Sequence, residues 1–365
     1  MRTLTGILLS ILTILSCQNQ DSTWEVGPEG DLSHIPYRAE LIQLNEPERF
    51  VKMVESEDNP ITKAGVDLGR HLFYDPILSR DSTRSCASCH IQAYGFSDTI
   101  AFSLGIENRA GQRNAIALAN LGYHYTQFFW DGRVKSLEEQ ALIPVEDSLE
   151  LGNDWEEVER RIQAHATYPV KFRQAFGVVG VHEIDRYLVA KALAQFERTF
   201  ISADNKFDRA LAGRAELSPE EERGRLIFFD ESEMLPSGEC AHCHVGPLLT
   251  TLTFFNNGLD NTDLTLTDIG LERVSANIFD RGKFKTPSLR NIALTAPYMH
   301  DGRFATLEEV IEQYNRGGHY SKNESPNIRP LGLNEQDKAD LIAFLNTLTD
   351  SSYLNRPELS NPFLP

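Results

Sequence analysis

The chain has 365 residues, enough for two domains of ordinary size, and carries 53 acidic against 35 basic side chains for a formal net charge of −18. That balance argues against nucleic acid as a partner, and it suits either a basic or strongly dipolar protein partner or simply a solvated acidic surface.

Arg2 precedes a short apolar run from Leu4 to Leu15, too short to span a bilayer, so residues 1–17 read as a signal peptide. Ile14-Leu15-Ser16-Cys17 has the form of a bacterial lipobox, which would make Cys17 a lipid-carrying residue; the alternative is an ordinary signal with an incidental cysteine. Either way the chain is expected to be exported, periplasmic, and attached to a membrane only through that anchor. Residues 18–40 are polar and contain Pro and Gly, as a tether would.

Four of the five cysteines fall in two pentads, Cys86-Ala-Ser-Cys89-His90 and Cys240-Ala-His-Cys243-His244. This is the attachment signature of c-type haem: two thiols add to the porphyrin vinyl groups, and the adjacent histidine is placed as an axial ligand. A four-cysteine zinc site or two thioredoxin-like redox pairs would use the same cysteines. Neither accounts for a histidine directly after both pairs.

The same motifs occur twice in one order. Gly69-Arg-His-Leu-Phe73 and Gly224-Arg-Leu-Ile-Phe228 precede the pentads. Leu118-Ala-Asn120 and Leu289-Arg-Asn291 follow them. Trp130-Asp-Gly-Arg133 with Ser136-Leu-Glu-Glu139 is matched by His300-Asp-Gly-Arg303 with Thr306-Leu-Glu-Glu309. Ser136 and Thr306 are capping-box helix starts, and Leu307, Val310, Ile311 and Tyr314 share one helical stripe expected to face a haem. The helix from Leu137 is expected to end near Pro144, and further helices are expected at Trp155–Ala166, Ile184–Ser202, Pro219–Phe229 and Asn334–Thr347. Alternating Val/Ile/Thr runs are scarce. The expected fold class is therefore mostly α, two cytochrome c-like mono-haem domains related by internal duplication, at residues 41–205 and 206–350, with an irregular tail at 351–365.

Aligning the copies on Asp-Gly-Arg pairs Pro144 with Tyr314. A phenol can supply a sixth ligand to iron, whereas proline has no donor atom. The copies therefore differ: the first iron is expected to be open, and the second closed by Tyr314. Met299, His300 and His319 compete for the second iron, and Tyr94 and His124 for the first. An open iron suits a small ligand, hydrogen peroxide above all, and cleaving its O–O bond needs a group that moves a proton. Gln140 and Glu150 flank Pro144 and are the candidates. Trp130 is either a packed indole or an oxidisable relay between the haems.

Taken together, the two pentads, Phe129-Trp-Asp-Gly-Arg133, Glu139-Gln140, Lys285-Thr-Pro-Ser-Leu-Arg-Asn291 and Pro297-Tyr-Met-His-Asp-Gly302 resemble the bacterial di-haem cytochrome c peroxidases and the related MauG oxidase, over about residues 45–345. The resemblance implies that the N-terminal haem is the peroxide site, with Gln140 and Glu150 above it and Trp130 between the haems, and that the C-terminal haem takes in and stores electrons. It also implies a calcium ion held by Asn114 and the carbonyls of Thr295 and Pro297, and a homodimer. Family peroxidases carry a Met where Tyr314 stands and a blocking His in the loop near Ile106. Both are missing here, as in the MauG-like branch, which implies a low-potential second haem and a peroxide site open without prior reduction. The expected activity is a cytochrome-c peroxidase-type oxidoreductase that reduces hydrogen peroxide to water with electrons from a small redox protein, a cytochrome c or cupredoxin. A MauG-like oxidase modifying a protein partner and a plain di-haem electron carrier are the alternatives.

Overall fold

The computed structural model describes residues 24–54, 56–261 and 266–364. The signal peptide with Cys17 lies outside them, as does the start of the expected tether. Among the described residues no helix is long and apolar enough to cross a membrane.

The architecture is helix-rich with one small sheet. In chain order the helices are α1 (Lys63–Tyr74), α2 (Leu137–Glu146), α3 (Trp155–Gln163), α4 (Tyr168–Phe176), α5 (Arg186–Glu197), α6 (Lys206–Leu211) and α7 (Pro219–Phe229). Then come α8 (Glu272–Ser275), α9 (Leu307–Asn315), α10 (Glu335–Asn346) and α11 (Ser351–Leu354). Strands β1 (Phe254–Phe255) and β2 (Phe284–Lys285) form a two-stranded antiparallel pair. Each expected helix is present; α5 and α10 begin inside their expected starts, where Asp185 and Asn334 become caps, while α3 begins at Trp155 as expected, capped by Asp154, and ends early at Gln163. The Leu137 helix does not stop at Pro144. It runs on to Glu146, because proline removes only its own N–H and the Asp147 N–H still reaches the Ile143 carbonyl.

Two helix crossings organise the chain, α1 on α5 and α7 on α10. Glycine sits at each crossing: a Cβ on Gly69 would lie 2.0 Å from the Ala192 carbonyl oxygen, and one on Gly224 would lie 1.9 Å from that of Asp340. Aromatic clusters fill both crossings. Phe73 packs edge-on against Phe96, Phe196 and Phe200, while Phe344 packs against Phe207, Phe228 and Phe229. Each such buried ring contributes about 1.5–3 kcal/mol through the area it removes from water.

Local details repeat between the halves. Asn120 and Asn291 are both left-handed, with φ of 63°, and their N–H groups reach the Phe200 and Leu348 carbonyls just beyond α5 and α10. The Asn120 side chain brackets Ser202, Asn291 reaches the Ser202 hydroxyl and the Asp350 N–H, and Asp350 accepts from the backbone of Ala203 and Asp204. Ser136 and Thr306 cap α2 and α9 in the same way.

Two expectations need correction. The tail at 351–365 is not irregular: it forms α11 and a 3-10 turn at Pro357–Leu359, and Tyr353 and Leu359 are core residues of the first half. Its backbone is tied to α1, since Arg70 donates to the Ser360 carbonyl at 2.6 Å and Tyr74 to that of Leu359 at 2.7 Å. Nor does a tether extend to residue 40. Leu32 and Ile35 are buried in that same core, and Leu32 N–H donates to the Val179 carbonyl. Both segments are too polar on average to announce the few apolar residues that dock.

Candidate haem sites

Both pentads fold into the same tight turn, in which the N–H groups of the second cysteine and of the histidine both reach the carbonyl of the first cysteine. That turn puts two thiols and an imidazole on one side of the chain. His90 Nδ1 lies 2.9 Å from the Phe96 carbonyl, and His244 Nδ1 lies 3.2 Å from that of Leu249. With Nδ1 donating there, each ring keeps the Nε2 lone pair for a metal. Burial lowers both imidazoles, His244 to about 4, which keeps them neutral. Burial also raises the thiols, Cys89 and Cys243 to about 11 and Cys240 to about 12, so none is a standing thiolate.

Each pentad lines its own cavity. Cys86, Cys89 and His90 face one of about 890 Å³, and Cys240, Cys243 and His244 face one of about 200 Å³. Two separate cavities exclude a single four-cysteine zinc site. Two thiols and a free imidazole nitrogen on one apolar wall are the donor set that a c-type haem requires, and both cavities meet it.

The first cavity also carries Gln140, Pro144 and Glu150. After α2 the chain doubles back, with Glu150 N–H on the Asp147 carbonyl and Leu151 N–H on that of Pro144, which sets Glu150 beside the proline. Burial, and then Asp147, raise the Glu150 carboxyl to about 7, against the opposing pull of Arg133. The neighbouring loop closes on it: Ile106 N–H donates to the Glu150 carbonyl at 2.8 Å. Only glycine fits at 105, where a Cβ would stand 2.1 Å from the Leu149 carbonyl oxygen and 2.5 Å from that of Glu150. Arg84 holds the same loop from the other side, through the Gly105 carbonyl and Asn108.

In the second cavity Tyr314 stands with Leu307, Val310 and Ile311, the expected stripe. Its hydroxyl accepts from Asn257 Nδ2 at 3.1 Å, and burial pushes the phenol up to about 12. Met299 and His300 line this cavity too, whereas His319 does not. His300 is stacked on Phe284 at 3.7 Å. On the first side, Tyr94 is largely exposed and away from the cavity, while His124 lines it.

Trp130 lines both cavities, its indole N–H donating to the Asn114 carbonyl at 2.8 Å. Asn114, Thr295 and Pro297 all border the first cavity, and the Asn114 amide nitrogen is turned to the carbonyls of Ile100 and Ala101.

This arrangement of two thiol-and-imidazole cavities joined by one tryptophan agrees with what similarity searching finds. The family model described as di-haem cytochrome c peroxidase matches residues 63–216. A cytochrome-c peroxidase, IdrP1, of Denitromonas iodatirespirans is 34% identical over 340 residues, covering 84% of this chain and 88% of its own. The chain belongs to the di-haem cytochrome c peroxidase family. The methylamine utilization protein MauG of Methylorubrum extorquens is 35% identical over 315 residues, covering 82% and 83% of the two chains. A solved MauG-like protein associated with microbial copper homeostasis superposes with a TM-score of 0.82 at 35% identity, over 88% of this chain and all of that one. Membership makes the chain an oxidoreductase of the cytochrome-c peroxidase type and implies two c-type haems.

Three residues to which sequence reasoning assigned no role complete the picture. Glu197 on α5 lines the first cavity, is buried with Oε2 unpartnered, and is pushed up to about 8 by that burial. Arg113 is clamped between Asp131 at 2.6 Å and a bidentate Asp268 at 2.6 and 2.9 Å. Lys285 is buried between the cavities. A helical Glu reads as solvated until its helix partner is known, while the Asp268 partner of Arg113 and the His124 partner of Lys285 lie 155 and 161 positions away.

Proposed function

We propose that the protein is an exported di-haem peroxidase that reduces hydrogen peroxide to water with electrons from a small redox protein. The observation carrying this reading is the inequality of the two cavities: Pro144, without a donor atom, borders the first beside Gln140 and Glu150, whereas the Tyr314 phenol borders the second. In this reading the two halves are copies of one mono-haem unit. Cys86, Cys89 and His90 would hold the first haem, and Cys240, Cys243, His244 and Tyr314 would hold the second. Bound haem supplies an iron centre and one-electron redox chemistry.

The remaining steps fall to the chain's own residues. Glu150, with a proton affinity set near neutrality, takes a proton from the bound peroxide and returns it to the departing oxygen. Gln140, a donor and an acceptor at once, orients the peroxide. Trp130 bridges the cavities and relays electrons from the second to the first. Two electrons and two protons convert one peroxide into two waters. Because Glu150 must begin as the base, turnover is expected to rise with pH through about 7. Calcium on Asn114 and the carbonyls of Thr295 and Pro297, a lipid anchor at Cys17 and a homodimer complete the proposal.

The test is optical. The oxidised protein is expected to show a high-spin signal that cyanide removes; a plain electron carrier has no such signal. Tyr314, together with the MauG and MauG-like relatives, favours a second reading, oxidation of a residue on a protein partner. Rapid peroxide turnover with small cytochromes or cupredoxins supports the first reading, and poor turnover the second.

A further inference from the structure

Between the two cavities lies a buried amine that peroxide chemistry leaves without a task. Lys285, on β2, is 6% exposed and lines both cavities, and its backbone N–H donates to the Trp130 carbonyl at 2.9 Å. Its side-chain nitrogen meets His124 Nδ1 at 3.1 Å, the Gln127 carbonyl and the face of Phe128. None of these is a carboxylate. Two neighbouring cations of the first cavity are answered by carboxylates: Arg113 by Asp131 and Asp268, and Arg290 by Asp208 at 2.7 and 2.8 Å. Lys285 faces a neutral acceptor set, and His124 is the titratable side chain hydrogen-bonded to it.

His124 is itself 7% exposed. When Lys285 is an ammonium it donates to Nδ1, which places the His124 proton on Nε2, an atom buried without a partner on a residue that borders the first cavity. Burial lowers the Lys285 amine to about 7 and holds His124 neutral, so near neutrality the pair exchanges one proton with solvent.

Resting on the two-haem reading, we propose that Lys285 and His124 form a proton-loading site for the first haem: one proton from solvent binds Lys285 as one electron from the redox donor reaches that haem, and leaves when the haem is reoxidised. One electron and one proton enter together and no bond between heavy atoms changes. The cause is Coulombic. An electron added across a low-dielectric wall favours the ammonium over the amine, and the ammonium in turn favours the reduced haem.

Spectroelectrochemical titration of the full-length holoprotein between pH 5.5 and 9 tests this. The first haem's midpoint potential is expected to be flat below about pH 7 and to fall above it with a slope approaching tenfold in the reduction equilibrium per pH unit, which is 59 mV. Lys285→Met is expected to lower the slope and shift the potential down towards its alkaline limit, leaving only the dependence carried by Glu150 and Glu197, which border the same cavity at about 7 and about 8. Lys285→Arg, which keeps its proton throughout, is expected to lower the slope equally but shift the potential up towards the acid limit, an opposite displacement that lost packing would not produce. A flat wild-type profile overturns the proposal, as does an unchanged slope in Lys285→Met. A mass of the unfolded chain with fewer than two attached haems instead overturns the two-haem reading on which it rests.

Discussion

The two cavities are built on one plan and end differently. In both, a pentad turn presents two thiols and an imidazole anchored through Nδ1. In both, a capped helix, α2 or α9, forms the opposite wall. The first spreads over about 890 Å³ to Glu150, and the second, about 200 Å³, is bordered by Tyr314. A shared scaffold fixes where a cofactor goes, and a few positions on one helix face decide what it can bind.

The largest effect is expected where the cavities differ most. Glu150→Gln is expected to cut peroxide turnover by about 10²–10⁴-fold, the usual worth of a positioned acid/base, with both haems still attached. Steady-state kinetics and the mass of the unfolded chain check this; unchanged turnover removes Glu150 from the chemistry. Next, Tyr314→Met makes the second cavity resemble a thioether-ligated site and is expected to raise the second haem's potential by on the order of 0.1 V, well inside the range that axial ligands span. Redox titration reads it, and a fall would mean that Tyr314 is not a ligand.

Where the halves agree, equal responses are expected. Gly69→Ala and Gly224→Ala each drive a methyl into a carbonyl of the crossing helix, and each should cost at least about 1–3 kcal/mol in chemical denaturation. A large effect in one half only would break the analogy between the crossings.

The smallest effect separates the halves again: the carboxylate bordering the second cavity, Glu239, is paired with Arg329 and His242, whereas Glu197 keeps a buried oxygen without a partner. Its folded-state value of about 8 lies above the ordinary 4.5, so the folded chain holds a proton that the unfolded chain releases. That contribution to stability is complete below about pH 4.5 and is lost as pH rises through about 8. Glu197→Gln is therefore expected to be near neutral at pH 5 and stabilising at pH 8, as thermal melts at the two values would show.

Much of this was legible in the residues. The pentads, the capping Ser136 and Thr306, and the paired Gly69 and Gly224 are local signals, since attachment, capping and close approach each need particular residue types within a turn or two. The pairing of Pro144 with Tyr314 also came from alignment alone. What stayed hidden is long-range: the docking of Leu32, Tyr353 and Leu359, the burial of Glu197, and the setting of Lys285 against His124, where one residue's environment is made by another more than 100 positions away. The extent of α2 past Pro144 was missed for a subtler reason. A proline silences a single N–H, and its neighbours decide whether the helix continues.

The returning C-terminal segment bears on how the molecule is made. A polypeptide is synthesised and exported in order, so the first aromatic core cannot close until Tyr353 and Leu359 have emerged, long after the leading pentad. On the proposed reading, attachment at Cys86 and Cys89 meets an unfinished half whose wall is still missing, and the last stretch of chain is the latch that seals it.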